Sequence, residues 1–429
     1  MAGECDLHDQ RRAHRRRAAA AALLPPTTAL RGEDGTGRFA SLDALRGIAA
    51  LLIVTFHCWK IGLFPEPVGW VGRLWYWTPL NLLISGRPWV ILFFVLSGFV
   101  LACSLERAMR LDYRGFVLRR LCRIYLPFLG SILLSLLAYA LVQPERIASL
   151  SRWFNELAWS EPPTLRMVMR HLLMTGLDGD DGLNPVMWSL VYELRISLVF
   201  PALFLAGWRW PRALLAIGLL AHLAAAVLFG CRSVQCQPFR GHDGIGSMLL
   251  TVYFTLFFII GILLARYRDG VTQAVRRLSV PGAALLGLAA LYAMILPNNP
   301  RLMAFLPADL LAGLGGAALM ALAIGRSGWA ATLRLRPLAW LGLVSYSLYL
   351  THNIVLLALM HWFHAMASVT VLLLGVVVAS LLVAAVSHRL LEAPAARLGR
   401  WVTERRGGDA LARNDAAHGG IRAWAGRDS

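Results

Sequence analysis

The sequence predicts an all-α integral membrane protein of about ten transmembrane helices, and three observations carry that reading. Of 429 residues, 58% are hydrophobic and only 15% charged, with a mean hydropathy of +0.59. The apolar residues fall in long blocks, each close to the ~20 residues that cross a bilayer core as a helix. The net charge of +18 is almost all arginine, since Lys60 is the sole lysine, and the arginines collect between alternate blocks. Such a basic balance also fits nucleic acid, but no aromatic-basic RNA or DNA motif accompanies it. The positive-inside rule accounts for it better.

Ten spans follow along the chain, at 42–59, 88–105, 124–142, 187–206, 211–230, 247–266, 280–297, 303–325, 338–360 and 366–388. Pro144, Pro211, Pro281, Pro300 and Pro337 punctuate the joins. With the N-terminus cytoplasmic, the inside segments hold a roughly threefold excess of Arg and Lys, which gives an N-in, C-in topology. One outside loop, 143–186, is large and the others are short. Residues 1–38 form a polar tail with Arg11-Arg12 and Arg15-Arg16-Arg17, and its short Ala/Leu run is broken by Pro25-Pro26. This reads as a disordered cytoplasmic tail on anionic lipid rather than a signal peptide. Residues 39–400 form the polytopic body, and 401–429 a second disordered, polar cytoplasmic tail. The sequence shows no internal repeat of the kind built into inverted-repeat transporters.

Four groups of ionisable residues interrupt the apolar blocks, where such groups are costly and point by default to a ligand or proton site. In the first span Arg46 and His57 are eleven positions apart, almost three turns, so they share one helical stripe about 16 Å long. Singly, Arg46 reads as an interfacial anchor and His57 as a packing residue. The second group, Arg119-Arg120-Leu-Cys-Arg123, enters the third span; Arg120 and Arg123 at i, i+3 lie on one face, suited to bidentate contact with phosphate. Its plain alternative is a topogenic positive-inside cluster. The third group, Trp188-Ser-Leu-Val-Tyr192-Glu193-Leu-Arg195, opens the fourth span; Glu193, one and a half turns in, is expected at the depth of His57, able to orient its imidazole. The fourth, Ser345-Tyr-Ser-Leu-Tyr349-Leu-Thr-His352, places His352 at that same depth.

Ser97-Gly98 permits close helix contact, and no nucleophile elbow surrounds the serine. Glu392 before Pro394 reads as a helix-terminating element at the inner interface. None of six cysteines has metal-ligand spacing with histidine, so no metal is expected; Cys231 and Cys236 share an outside loop and are candidates for a disulfide.

The ordered set Arg46-x10-His57, Phe93-Phe-Val-Leu-Ser-Gly-Phe99, Arg120-x-x-Arg123, Trp188-Ser-Leu-x-x-Glu193, Ser345-Tyr-Ser-Leu-Tyr-Leu-x-His352 and Glu392-x-Pro394 resembles membrane acyltransferase family 3, over about residues 38–400. The resemblance implies acetyl-coenzyme A, or another acyl-coenzyme A, as donor and a hydroxyl of an exopolysaccharide, other envelope glycan or glycoside as acceptor. It implies catalytic roles for His57, Glu193 and Arg46. Donor binding falls to Arg120, Arg123 and Arg46, and substrate contacts to Trp188, Tyr192, Tyr349 and His352. Tyr192, Tyr349 and Arg195 are candidate oxyanion donors. It further implies a multi-pass protein of a bacterial inner (plasma) membrane, in contact with polysaccharide biosynthesis or export partners. The competing expectation is a proton-coupled transporter or lipid-linked sugar flippase that uses the same buried residues.

Overall fold

The structure, a computed structural model, describes residues 39–63, 68–108, 112–177, 182–228, 244–296 and 308–403. The expected tail 1–38 and the Cys231–Cys236 pair lie outside the described residues, as does the expected tail 401–429 apart from 401–403, which are helical rather than disordered.

The described chain is all helical. Its first part comprises α1 (Ala40–Lys60), α2 (Gly69–Trp77), a 3-10 turn (Pro79–Ile84), α3 (Arg87–Arg107), α4 (Tyr113–Val142), α5 (Arg152–Leu157) and α6 (Leu165–Leu173). It continues with α7 (Met187–Arg209), α8 (Pro211–Leu228), α9 (Gly244–Arg266), α10 (Arg268–Arg277) and α11 (Val280–Ile295). Last come α12 (Ala308–Gly325), α13 (Ser327–Leu333), α14 (Arg336–Phe363) and α15 (Val369–Ser387), which passes through a π turn (His388–Glu392) and runs on to Thr403. Among the described residues eight helices are long and apolar enough to cross a membrane: α1, α3, α4, α7, α8, α9, α14 and α15. The expected spans 280–297 and 303–325 correspond to the shorter apolar helices α11 and α12. The protein is therefore an integral, multi-pass membrane protein.

Local chemistry sets the helix ends. Ser151, Thr164, Ser279 and Ser368 each accept a backbone N–H of the first turn, and Pro88 and Pro337 occupy the first-turn positions, where a missing N–H is harmless. The Glu392–Pro394 element departs from expectation, because it does not end its helix. At the π turn the Ala393 N–H reaches back five residues to the His388 carbonyl, and the widened turn lets the helix continue past Pro394.

Two packing units meet along α1 and α3. α1 lies on α14, and α14 also packs on α15 and α4; α3 packs on α9 and α12. Both main crossings use glycine. A Cβ at Gly342 would sit 2.4 Å from the Asp43 carbonyl oxygen, and one at Gly98 2.3 Å from the Phe258 carbonyl oxygen. Backbones approach at these points as close helix pairs in membranes do. α3 and α14 are the most enclosed spans, with 78% of their apolar windows inside, whereas α8 and α15 have 22%. Ser345, Ser347, Thr351, His352 and Asn353 of α14 are all buried and so face protein and not lipid.

Candidate functional site

α1 carries Arg46 near one end and His57 near the other, and the close Gly47–Gly342 crossing beside Arg46 registers it against α14. The N-terminal part of α14 packs on α1 and α4, and the first turns of α4 bring their arginines to the cavity that Arg46 also lines. Pro127 inside α4 removes the amide that would bond the Arg123 carbonyl. One residue on, the Ile124 carbonyl accepts from Tyr346 Oη of α14 at 2.7 Å. Sequence thus dictates the local seam that brings the α4 arginines against α14.

A cavity of ≈ 470 Å³ opens at this end, within the ordinary size range of small-molecule sites. Arg46, Arg119, Arg120, Arg123 and Arg400 line it, against one carboxylate among the described residues, Glu193. Ser97, Ser104, Ser189, Ser345 and Thr403 add hydroxyls, while Phe93, Phe94 and Phe116 add apolar wall. Arg120, only 8% exposed, donates to Glu193 Oε1 at 2.9 Å and from Nε and Nη2 to Ser197 Oγ at 3.2 and 3.1 Å. Ser97 Oγ donates to the same Glu193 oxygen at 3.0 Å. Arg46 makes an i, i+3 contact with Asp43 at 3.3 Å. A guanidinium-rich wall with one carboxylate suits a ligand bearing several phosphate or carboxylate groups, since Arg pairs with such oxyanions bidentately.

At the far end of the cavity Phe93 and Tyr349 pack edge to face, ring centroids 5.8 Å apart. Tyr349 Oη lies 2.7 Å from Ser189 Oγ and donates within 3.2 Å of the Val186 carbonyl. Beyond this pair stand the histidines. His57 Nδ1 is 2.8 Å from His352 Nε2, and His352, 1% exposed, has its ring 6.1 Å from that of Tyr349. Trp153 of α5 stacks on His57 at 5.4 Å and 22°.

The structure thus joins Arg46, Arg120, Arg123, Glu193 and Tyr349 around one cavity, and His57 with His352 just past it. One expected partnership changes. Glu193 does not reach His57; it faces Arg120 and Ser97 at the arginine end, and the neighbour of His57 is His352. Trp188 and Tyr192 do not line the cavity. Tyr192 is fully buried, and both rings pack with Phe254. Arg195 points elsewhere, to the Thr175 carbonyl, Ser247 and Thr251.

Sequence reasoning missed Arg400 and Thr403, which belong to the helix beyond the π turn, and Tyr346. It also missed Asp309 of α12, fully buried, which accepts from Arg87 and, at 2.8 Å, from Tyr253 Oη. A single aspartate inside an apolar block was the available signal for that network. Among the described residues no cluster of His, Cys, Asp and Glu could hold a metal.

Over 242 residues the chain is 31% identical to the O-acetyltransferase PaAT-1 of Phomopsis amygdali, covering 47% of this chain and 47% of that protein. The chain therefore spans about half the length of this relative. No solved structure matches it. The model of the acyltransferase domain family matches residues 39–389, well over half of the chain and all the residues around the cavity except Arg400 and Thr403. On that match the chain belongs to membrane acyltransferase family 3.

Proposed function

We propose that the protein is an O-acyltransferase that moves an acyl group, acetyl in the simplest case, from acyl-coenzyme A to a hydroxyl of an exopolysaccharide, other envelope glycan or glycoside. The observation that carries this reading is the cavity itself: five guanidinium groups and one carboxylate at one end, and a histidine pair beyond the aromatic rings at the other. The name of the Phomopsis amygdali relative, an O-acetyltransferase, supports acetyl as the group transferred.

In this reading Arg119, Arg120, Arg123, Arg400 and Arg46 hold the phosphates of the donor, and the thioester arm extends along the cavity toward Phe93 and Tyr349. Glu193 balances the charge of Arg120 and keeps its guanidinium aimed at the cavity wall. His57 is the general base. It takes the acceptor hydroxyl proton as the oxygen forms a C–O bond to the acyl carbon; the C–S bond breaks and coenzyme A leaves as thiolate. Tyr349, whose ring lines the cavity nearest the histidines, is the nearest of the expected oxyanion donors, and its single O–H serves there by turning from the Val186 carbonyl. The arginine asymmetry supports an N-in, C-in topology with the donor on the cytoplasmic side, and in this reading the membrane is the plasma (bacterial inner) membrane. The acceptor then comes from polysaccharide biosynthesis or export partners.

Donor binding tests this reading on the purified, detergent-solubilised protein by calorimetric titration with coenzyme A. Two lost charge-assisted contacts, at about 1.5–3 kcal/mol each, predict roughly 100-fold or greater weakening for Arg120→Gln with Arg123→Gln. Unchanged affinity would return the cluster to a topological role.

A further inference from the structure

The hydrogen-bond polarity of the two histidines is determined by a fixed group at one end of the pair. His352 Nδ1 lies 2.9 Å from the Leu348 carbonyl oxygen, one turn back on α14. A carbonyl only accepts, so this nitrogen carries a proton. In a neutral ring the other nitrogen, Nε2, is then a lone pair. That lone pair faces His57 Nδ1 at 2.8 Å, so His57 Nδ1 carries the proton between the rings. The remaining nitrogen of His57, Nε2, is left unprotonated, with the lone pair that a general base needs.

The same arrangement recurs elsewhere in this fold with independent checks. His171 Nδ1 lies 2.9 Å from the Met167 carbonyl, and its Nε2 accepts from the Leu183 and Asn184 backbone amides, two donors of fixed polarity. A carbonyl one turn back therefore sets the tautomer of a buried histidine here, and His352 repeats the pattern. Neither His57 nor His352 has a carboxylate partner among the described residues; besides His352, the polar partner that orients His57 is the Ile53 backbone carbonyl, one turn back on α1.

We propose that His352 is a positioning residue: it holds His57 in the tautomer whose Nε2 is free to accept a proton, and with Trp153 it fixes the ring plane. This inference rests on His57 being the general base of the proposed transfer. The proton balance is simple. Nε2 of His57 takes the acceptor proton while Nδ1 keeps its own, and the bond from Nδ1 to His352 becomes charge-assisted and stronger. His352 neither gains nor loses a proton, so it serves through His57 rather than touching substrate. The sequence-based assignment of His352 to substrate contact is replaced by this one.

Two readouts on the full-length protein in lipid nanodiscs test the proposal. Solid-state NMR of protein labelled with ¹⁵N-histidine, with His57 assigned by its loss in His57→Gln, should show His57 protonated at Nδ1 and bare at Nε2, with a coupling from Nδ1 to His352. His57 protonated at Nε2 would overturn the proposal. In acetyl-coenzyme A turnover, His352→Leu should lower kcat at least about tenfold with KM for the donor unchanged. His352→Gln, whose amide oxygen still accepts from Nδ1, should recover most of it. Wild-type kcat in His352→Leu, or equal losses in both variants, would also overturn it. The nitrogen shifts need no turnover, so an inactive wild type would count against the acyltransferase reading and leave the tautomer to be decided by NMR.

Discussion

Replacing Glu193 by glutamine separates two roles for this carboxylate on the cavity wall. The amide keeps the volume and an oxygen able to accept from Arg120 and Ser97, which donate to Glu193 at 2.9 and 3.0 Å; only the charge goes. Removing a partner outright from a buried ion pair costs about 3–5 kcal/mol. Retaining both hydrogen bonds, with the one from Arg120 still charge-assisted by its guanidinium, should limit the loss to about 1–3 kcal/mol. The effect on donor binding has the opposite sign. A carboxylate about 6 Å from a ligand phosphate, at an effective dielectric of about 20, repels it by about 2–3 kcal/mol. Glu193→Gln should therefore bind coenzyme A at least about tenfold more tightly while unfolding at a lower temperature. Calorimetric titration reads the first and tryptophan fluorescence on heating reads the second. Unchanged or weaker coenzyme A affinity together with lost turnover would refute the charge-balancing role and place Glu193 in the chemistry itself.

Two further substitutions probe the frame that holds the site. Gly342→Val sets a Cβ 2.4 Å from the backbone oxygen of Asp43, which cannot yield as a side chain can, so α14 should separate from α1. Overpacking of this kind costs about 1–3 kcal/mol or more, and size-exclusion chromatography should show loss of monodisperse protein. Asp309→Asn removes the buried charge opposite Arg87 and should lower the unfolding temperature, by up to about 3–5 kcal/mol of stability. Asp309 does not line the cavity, so coenzyme A affinity should remain at the wild-type value.

Much of this is legible in the sequence, and the exceptions have particular causes. Hydropathy locates the spans because a bilayer requires long apolar helices, and arginines in an apolar block mark the cavity because little else would keep them there. Position along their spans puts His57 and His352 at one depth, and they touch. Counting inward from the start of its span puts Glu193 with them, and the count misleads because that start is itself deep. Asn184, just before α7, donates to Ser131 and to the Leu350 carbonyl. Ser131 is eleven residues short of the end of α4, so α7 begins about 16 Å below that end and carries Glu193 down to Arg120. Arg400 sits at the edge of the expected polar tail because Pro394 reads as a stop; a π turn, which hydrophobic periodicity does not reveal, lets the helix pass it. The polarity of the histidine pair needs coordinates, since it depends on which nitrogen meets the Leu348 carbonyl.

In the proposed reaction one cavity divides the work, with arginines holding an acyl-coenzyme A and His57 taking the acceptor proton. The most direct measurement is release of free coenzyme A thiol from acetyl-coenzyme A by reconstituted wild type and His57→Ala, in the presence of a glycan acceptor. His57→Ala should lose acceptor-dependent release by about 100-fold or more while binding coenzyme A as tightly as wild type. Wild-type release from His57→Ala would contradict that division.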